Sequence, residues 1–169
     1  RAHGCDARLL CMGEGGLADE AMARGIPCEV LPMQHAWDPK VLPGLRRHIV
    51  QGSWDVVHTH GMRANLPIRA LLCIMRRRPS LFTTVHSDLA LDYDGRLRSQ
   101  AYVLLDRLSW PAVDGFFCVS DAFAARLRAR GIPKARVQVV HPGIEASCDG
   151  VAAPTPTVGT VARLVAVKD

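Results

Sequence analysis

The sequence predicts an α/β fold built on a Rossmann-like, doubly wound parallel sheet, and three observations carry that prediction. Short apolar runs rich in β-branched residues alternate with amphipathic stretches of helical length. The apolar runs are near-continuous rather than alternating, as in strands covered by helices on both faces of a parallel sheet. Polar phrases rich in Gly and His follow the runs directly, at the edge where an open parallel sheet binds its ligands.

In chain order, the first predicted strand is Ala7–Cys11, followed by Gly13-Glu14-Gly15-Gly16 and a helix over Leu17–Arg24. Arg24-Gly25-Ile26-Pro27 then supplies a left-handed stop and a proline that prevents the helix from resuming. Cys28–Leu31 is the second strand and Pro39–Val50 the second helix. Val56–Thr59, a helix over Arg63–Met75, and Leu81–Val85 continue the alternation. A helix over Arg96–Trp110 leads to the strand Phe116–Val119. Ser120 suits the N-cap of the next helix, Asp121–Arg130, whose acid lies in the first turn and whose arginines load the last. Gly131 and Pro133 repeat the stop signal before the strand Val137–Val140.

Residues 1–145 therefore read as one domain, with its first strand expected ahead of Arg1. Residues 146–157 have the small, polar, Pro-containing composition of a linker. Residues 158–169 read as the first strand and loop of a second domain, so the expectation is a fold truncated at both ends.

The chain has 169 residues, enough to bury roughly 70% of its unfolded surface. With 49% of residues apolar, a disordered chain is excluded. The net charge of +5, carried mostly by arginine, favours anionic partners. Basic residues lack regular aromatic interleaving, which argues against nucleic acid. The six cysteines show no C-x-x-C spacing, so no zinc site is expected. Cys11, Cys28, Cys73 and Cys118 lie in apolar runs and read as small core residues, reduced in a cytoplasmic protein. No apolar run is long enough to span a bilayer.

Candidate site residues follow from the strand ends. Gly15 and Gly16, before a helix, read either as a phosphate or sugar cradle or as a plain βα turn. His58 reads as a satisfied interior histidine, whereas His60, at a strand terminus before Gly61, is placed to line a cleft. Two histidines at this spacing, with no carboxylate or thiol partner in view, do not make a metal site. His86 closes its strand beside Ser87 and Asp88, where an imidazole can meet a sugar hydroxyl or a developing charge. Asp88 has the alternative role of capping the segment that follows. Arg76-Arg77-Arg78 reads as solvated charge at a helix end, or as an attraction to an anionic membrane surface. Arg163 and Lys168 pair a planar fork with a point charge, a combination suited to a diphosphate.

Taken in order, Trp54-Asp55-Val56-Val57-His58-Thr59-His60-Gly61, Thr84-Val85-His86-Ser87-Asp88, Val119-Ser120, Val139–Glu145 and Gly159–Lys168 resemble glycosyltransferase family 4. The resemblance implies the N-terminal half of a GT-B fold, in which two Rossmann-like domains face each other across a cleft. It implies a nucleotide-sugar donor, a glycan or lipid-linked acceptor, and hexosyl transfer with retention. No cofactor and no obligatory metal are implied. By matching position, His86 resembles the histidine that contacts the transferred sugar, and Arg163 and Lys168 the pair that holds the donor diphosphate. Gly15, Gly16, His60 and Ser120 would lie on the acceptor side.

The departures are equally specific. His141-Pro142 stands where the hinge usually has Asn before Gly, and Ala162 where a Gly commonly precedes the Arg. The family's donor-binding glutamates would lie beyond Asp169, so the chain as written is expected to be inactive alone. A cytoplasmic enzyme peripheral to the membrane is the leading reading. A non-catalytic glycan- or anion-binding domain is the alternative from another class, and a sugar-nucleotide epimerase of similar shape is a third.

Overall fold

The computed structural model describes residues 4–34, 38–87 and 96–143. The linker 146–157, the segment 158–169 with Arg163 and Lys168, and Asp88 lie outside the described residues.

The elements run β1 (Leu9–Cys11), α1 (Gly16–Ala23), β2 (Cys28–Val30), α2 (Val41–Gly52), β3 (Val56–His60), α3 (Met62–Ile74) and β4 (Ser80–Val85). Then come α4 (Arg96–Ser109), a 3-10 turn over Trp110–Ala112, β5 (Gly115–Cys118), α5 (Asp121–Ala129), a second 3-10 turn over Lys134–Arg136, and β6 (Val137–Val139). The predicted alternation is thus present, and every strand pairing is parallel. The chain is α/β with a Rossmann-like arrangement.

Strand pairing divides into two sheets. β1 and β2 pair with Leu9 opposite Cys28. β3, β4, β5 and β6 pair side by side in chain order, with His58 opposite Phe82 and Thr83 opposite Phe116.

Helix formation follows the apolar spacing. In α2, Val41, Leu45 and Ile49 recur every four residues and are all buried. In α5, Ala124 and Leu127 are buried, and the Phe123 N–H reaches the Ser120 hydroxyl at 3.4 Å, so Ser120 is the N-cap. Gly131, at φ 98°, ends α5, and the Ile132 N–H returns to the Leu127 carbonyl at 3.1 Å. Gly25, at φ 67°, ends α1 in the same way, with the Ile26 N–H on the Ala21 carbonyl at 2.9 Å. One tetrapeptide performs one local task twice.

The main core lies on a single face of the four-stranded sheet. Leu81, Phe116, Cys118 and Val137 project from the strands onto Leu45, Ile49, Ile68, Leu72, Trp110 and Leu127. The opposite face carries Val56, His58, His60, Phe82 and Phe117, and Val56 is 53% exposed. Helices on both faces were the expectation; among the described residues this half of the sheet is covered on one face only. His58 accordingly sits exposed on the open face rather than in the interior.

Two further expectations are corrected. Cys73 is exposed, because the buried stripe of α3 runs through Leu71 and Leu72 and turns away at the next position. The run Arg76-Arg77-Arg78 lies beyond the end of α3, and Arg78 is not simply solvated. Its guanidinium grips Asp114 at 2.7 and 3.0 Å, and the same carboxylate accepts the Leu81 N–H at 2.7 Å. Those bonds pin β4 against the start of β5. The hydrogen bonds from Arg78 hold the Asp114 carboxyl below the usual carboxylate range.

Candidate active site at the carboxyl edge of the sheet

The parallel register brings the predicted histidines together. His60 ends β3 opposite Thr84, and His86 lies two residues further along the neighbouring strand, just past β4. His60 Nδ1 and His86 Nε2 are 2.9 Å apart, a hydrogen bond in which one ring donates and the other accepts. His58 stacks at a tilt beside His60, with ring centroids 4.4 Å apart, and its Nε2 lies 2.7 Å from the Thr84 hydroxyl. Partial removal from water pushes both His58 and His60 below the ordinary histidine pKa, and the neighbouring imidazoles add to the effect. His58 and His60 therefore favour neutral forms, in which an imidazole can accept as well as donate.

Local backbone sets this edge. Gly61, at φ 78°, turns the chain from β3 into α3, and its carbonyl accepts the Asn65 N–H at 3.0 Å. Arg63, in the first turn of α3, donates to the Met33 carbonyl at 2.9 Å and ties the end of β2 to the edge. Gly15, at φ 140°, plays the corresponding part before α1, and its carbonyl accepts the Ala18 N–H at 2.9 Å.

Two cavities meet at these residues. The larger, about 1020 Å³, lies between β1 and β3 and is lined by Gly15, Gly16, His58 and His60 among others. The smaller, about 170 Å³, lies on the core side and is lined by Asn65, Arg69, Thr83, His86, Arg126 and Arg130. The hydrogen bond between His60 and His86 joins the two. Ser120 lines neither of them, and its hydroxyl serves the N-terminus of α5.

Sequence reasoning missed the polar network behind His86. Arg69 is 1% exposed, yet it pairs with Asp106 at 2.6 Å and donates to the Ser109 hydroxyl at 3.0 Å and the Thr83 hydroxyl at 3.3 Å. Asp106 also accepts the Trp110 indole N–H at 2.9 Å. Burial pushes the Arg69 pKa down, while Asp106 opposes that shift; a guanidinium stays charged regardless. Among the described residues, Arg69 Nε and Asn65 Oδ1 are buried without a hydrogen-bond partner. The available signal was a lone charge on the apolar stripe of α3, between Ile68 and Leu71.

Among the described residues, no group of three or more His, Cys, Asp or Glu side chains is arranged to hold a metal ion. None of the described helices is long and apolar enough to cross a membrane.

The fold is a parallel α/β sheet whose carboxyl edge gathers glycine turns and imidazoles around open cavities, the edge at which open sheets of this kind bind ligands. The family can be stated directly. Residues 1–143 match the model of the Glycosyl transferase 4-like domain, and the chain belongs to that family. No individual curated protein matches the chain.

Proposed function

We propose that this domain forms the acceptor side of a retaining glycosyltransferase that uses a nucleotide-sugar donor and a glycan or lipid-linked acceptor. The observation that carries the reading is the placement of His86. It lies at the carboxyl edge of β4, exposed on one side and held by His60 on the other. In this reading His86 contacts the transferred hexosyl group, while Gly15, Gly16 and His60 line the acceptor side. Arg163 and Lys168 hold the donor diphosphate and neutralise charge as the bond to the anomeric carbon breaks. The acceptor oxygen forms the new glycosidic bond on the same face, and its proton passes to the departing diphosphate. Ser120 is the weakest of the proposed acceptor contacts, since its hydroxyl is committed to the helix cap.

The reaction in this reading needs no cofactor. The enzyme would work in the cytoplasm, with exposed arginines drawing it to an anionic membrane surface that holds its acceptor. The cationic lining of the smaller cavity, with Arg69, Arg126 and Arg130 against one carboxylate, Asp106, favours a second reading as a glycan- or anion-binding domain.

His86→Ala in the complete enzyme separates the two. Loss of sugar transfer by about a hundredfold, with the thermal midpoint unchanged, supports the catalytic reading. Turnover like that of the parent removes His86 from the mechanism. Retained binding of glycan with no measurable transfer in the parent enzyme favours the second reading.

A further inference from the structure

Helix α4 has two faces, and among the described residues only one of them is packed. We propose that the other face, with the arginine-rich surface of the neighbouring helices, docks on an anionic lipid bilayer, α4 lying flat in the interface. This gives a defined surface to the membrane attraction in the preceding reading on which it rests, and binding rather than sugar transfer tests it.

The inner face of α4 is complete. Tyr102 packs with Met62 and Leu66 of α3, Leu105 packs against the same cluster, and Asp106 is paired with Arg69 at 2.6 Å. On the opposite side, Leu97, Ala101, Leu104 and Leu108 follow at spacings of four, three and four, which aligns them in one stripe. The three leucines are 84%, 58% and 68% exposed. Single surface leucines are ordinary, whereas an aligned row of them is a contiguous apolar patch that water disfavours.

Charge names the occupant. Helices α2, α3 and α5 bury their apolar stripes in one core, and α4 rests on α3. Together the four helices hold nine of the chain's 21 Lys and Arg, all of them arginine, but only two of its 16 Asp and Glu. The remainder of the sequence has more acids than bases, so the positive charge is gathered in this helical layer. Of its two acids, Asp106 is committed to the buried Arg69, and Asp121 stands in the first turn of α5. Arg46, Arg47, Arg107 and Arg128 are exposed. An apolar row among arginines, with almost no carboxylates, is the composition of a helix at a bilayer interface. Its leucines enter the acyl boundary while the guanidiniums meet head-group phosphates.

Other occupants fit less well. A stable pair of copies buries about 800 Å² per partner, more than three leucines and an alanine supply, and it would set arginine against arginine. A nucleic acid would answer the arginines but leave the leucines uncovered, because the stripe offers no aromatic ring on which a base can stack.

Topology sets what faces the membrane. Strands β4 and β5 are parallel, so α4 returns the chain against the strand direction, and its Leu97 end lies at the carboxyl edge of the sheet. With α4 flat in the interface, the edge that holds His60 and His86 lies beside the bilayer, where a lipid-linked acceptor enters from the side.

The test is flotation of the complete protein with phosphatidylcholine vesicles, with and without about one-third phosphatidylglycerol. The parent should bind the anionic vesicles at least about tenfold more strongly. Leu104→Gln/Leu108→Gln should lower that binding by about tenfold or more, with the thermal midpoint kept because both side chains are exposed. In a separate variant, Leu104→Trp, indole emission should shift to the blue on anionic vesicles and be quenched by brominated acyl chains. Parent-like binding by the double leucine variant, absence of quenching at position 104, or binding indifferent to phosphatidylglycerol each overturns the proposal. So does self-association of the parent that the leucine variant abolishes, which marks a second copy, or binding to duplex DNA tighter than to vesicles, which marks a nucleic acid. A protein that docks as expected yet transfers no sugar keeps this surface and loses only the transferase reading.

Discussion

His60 and His86 share one hydrogen bond, 2.9 Å between Nδ1 and Nε2, although they lie 26 residues apart in the chain. One ring must present a bare nitrogen to the other's N–H, so the bond is lost when both rings are protonated. It therefore fixes the orientation of His86 relative to His60.

A pH dependence of stability follows from the two depressed histidines. His58 and His60 both titrate below the ordinary histidine value of about 6.5 when folded, so the unfolded chain binds more protons as pH falls. Their contribution is fully present above pH 6.5 and is lost as pH falls through their folded values. Thermal midpoints measured between about pH 8 and 5 should fall on the acid side, and the double variant His58→Gln/His60→Gln should flatten that fall. An unchanged slope in the double variant would assign the acid sensitivity to other groups.

Cutting the buried pair Arg69–Asp106 should be costly. Arg69→Met leaves Asp106, 14% exposed, without its cation, and removes donors from Ser109 and Thr83. Loss of one member of such a pair typically costs about 3–5 kcal/mol. Urea unfolding reads this as a lower midpoint at a similar slope, and a change under about 1 kcal/mol would contradict the network.

Ser120→Ala should destabilise by about 0.5–1 kcal/mol, the low end for an N-cap, because the bond to the Phe123 N–H is long at 3.4 Å. Ser120→Asp restores an acceptor at the cap and should recover that loss. If acceptor affinity in the complete enzyme follows stability through both variants, the hydroxyl acts as a cap and makes no contact of its own.

Thiol labelling checks the burial pattern. Cys5 and Cys73 are exposed and should react with a disulfide reagent within minutes in the native protein. Cys118 is 0% exposed and Cys11 7% exposed, and burial raises both pKa values, with Cys28 adding to the effect at Cys11. These two should label only as fast as the protein opens, and mass spectrometry of labelled peptides distinguishes them.

Much of the architecture was legible in the sequence by itself, because it rests on local signals. Apolar runs marked the strands, four-residue spacing marked α2, and Arg-Gly-Ile-Pro marked two helix stops that the backbone bears out at Gly25 and Gly131. The cap at Ser120 and the position of His86 at a strand end were readable for the same reason. Tertiary structure alone decided the rest, because strand register and lateral order are set by pairings between distant residues. Register placed His86 against His60, and strand order left His58 on an open face and parted β1 from β3. Arg69 found Asp106 across 37 residues by the same route, since a buried charge is satisfied by whatever partner the fold brings within reach.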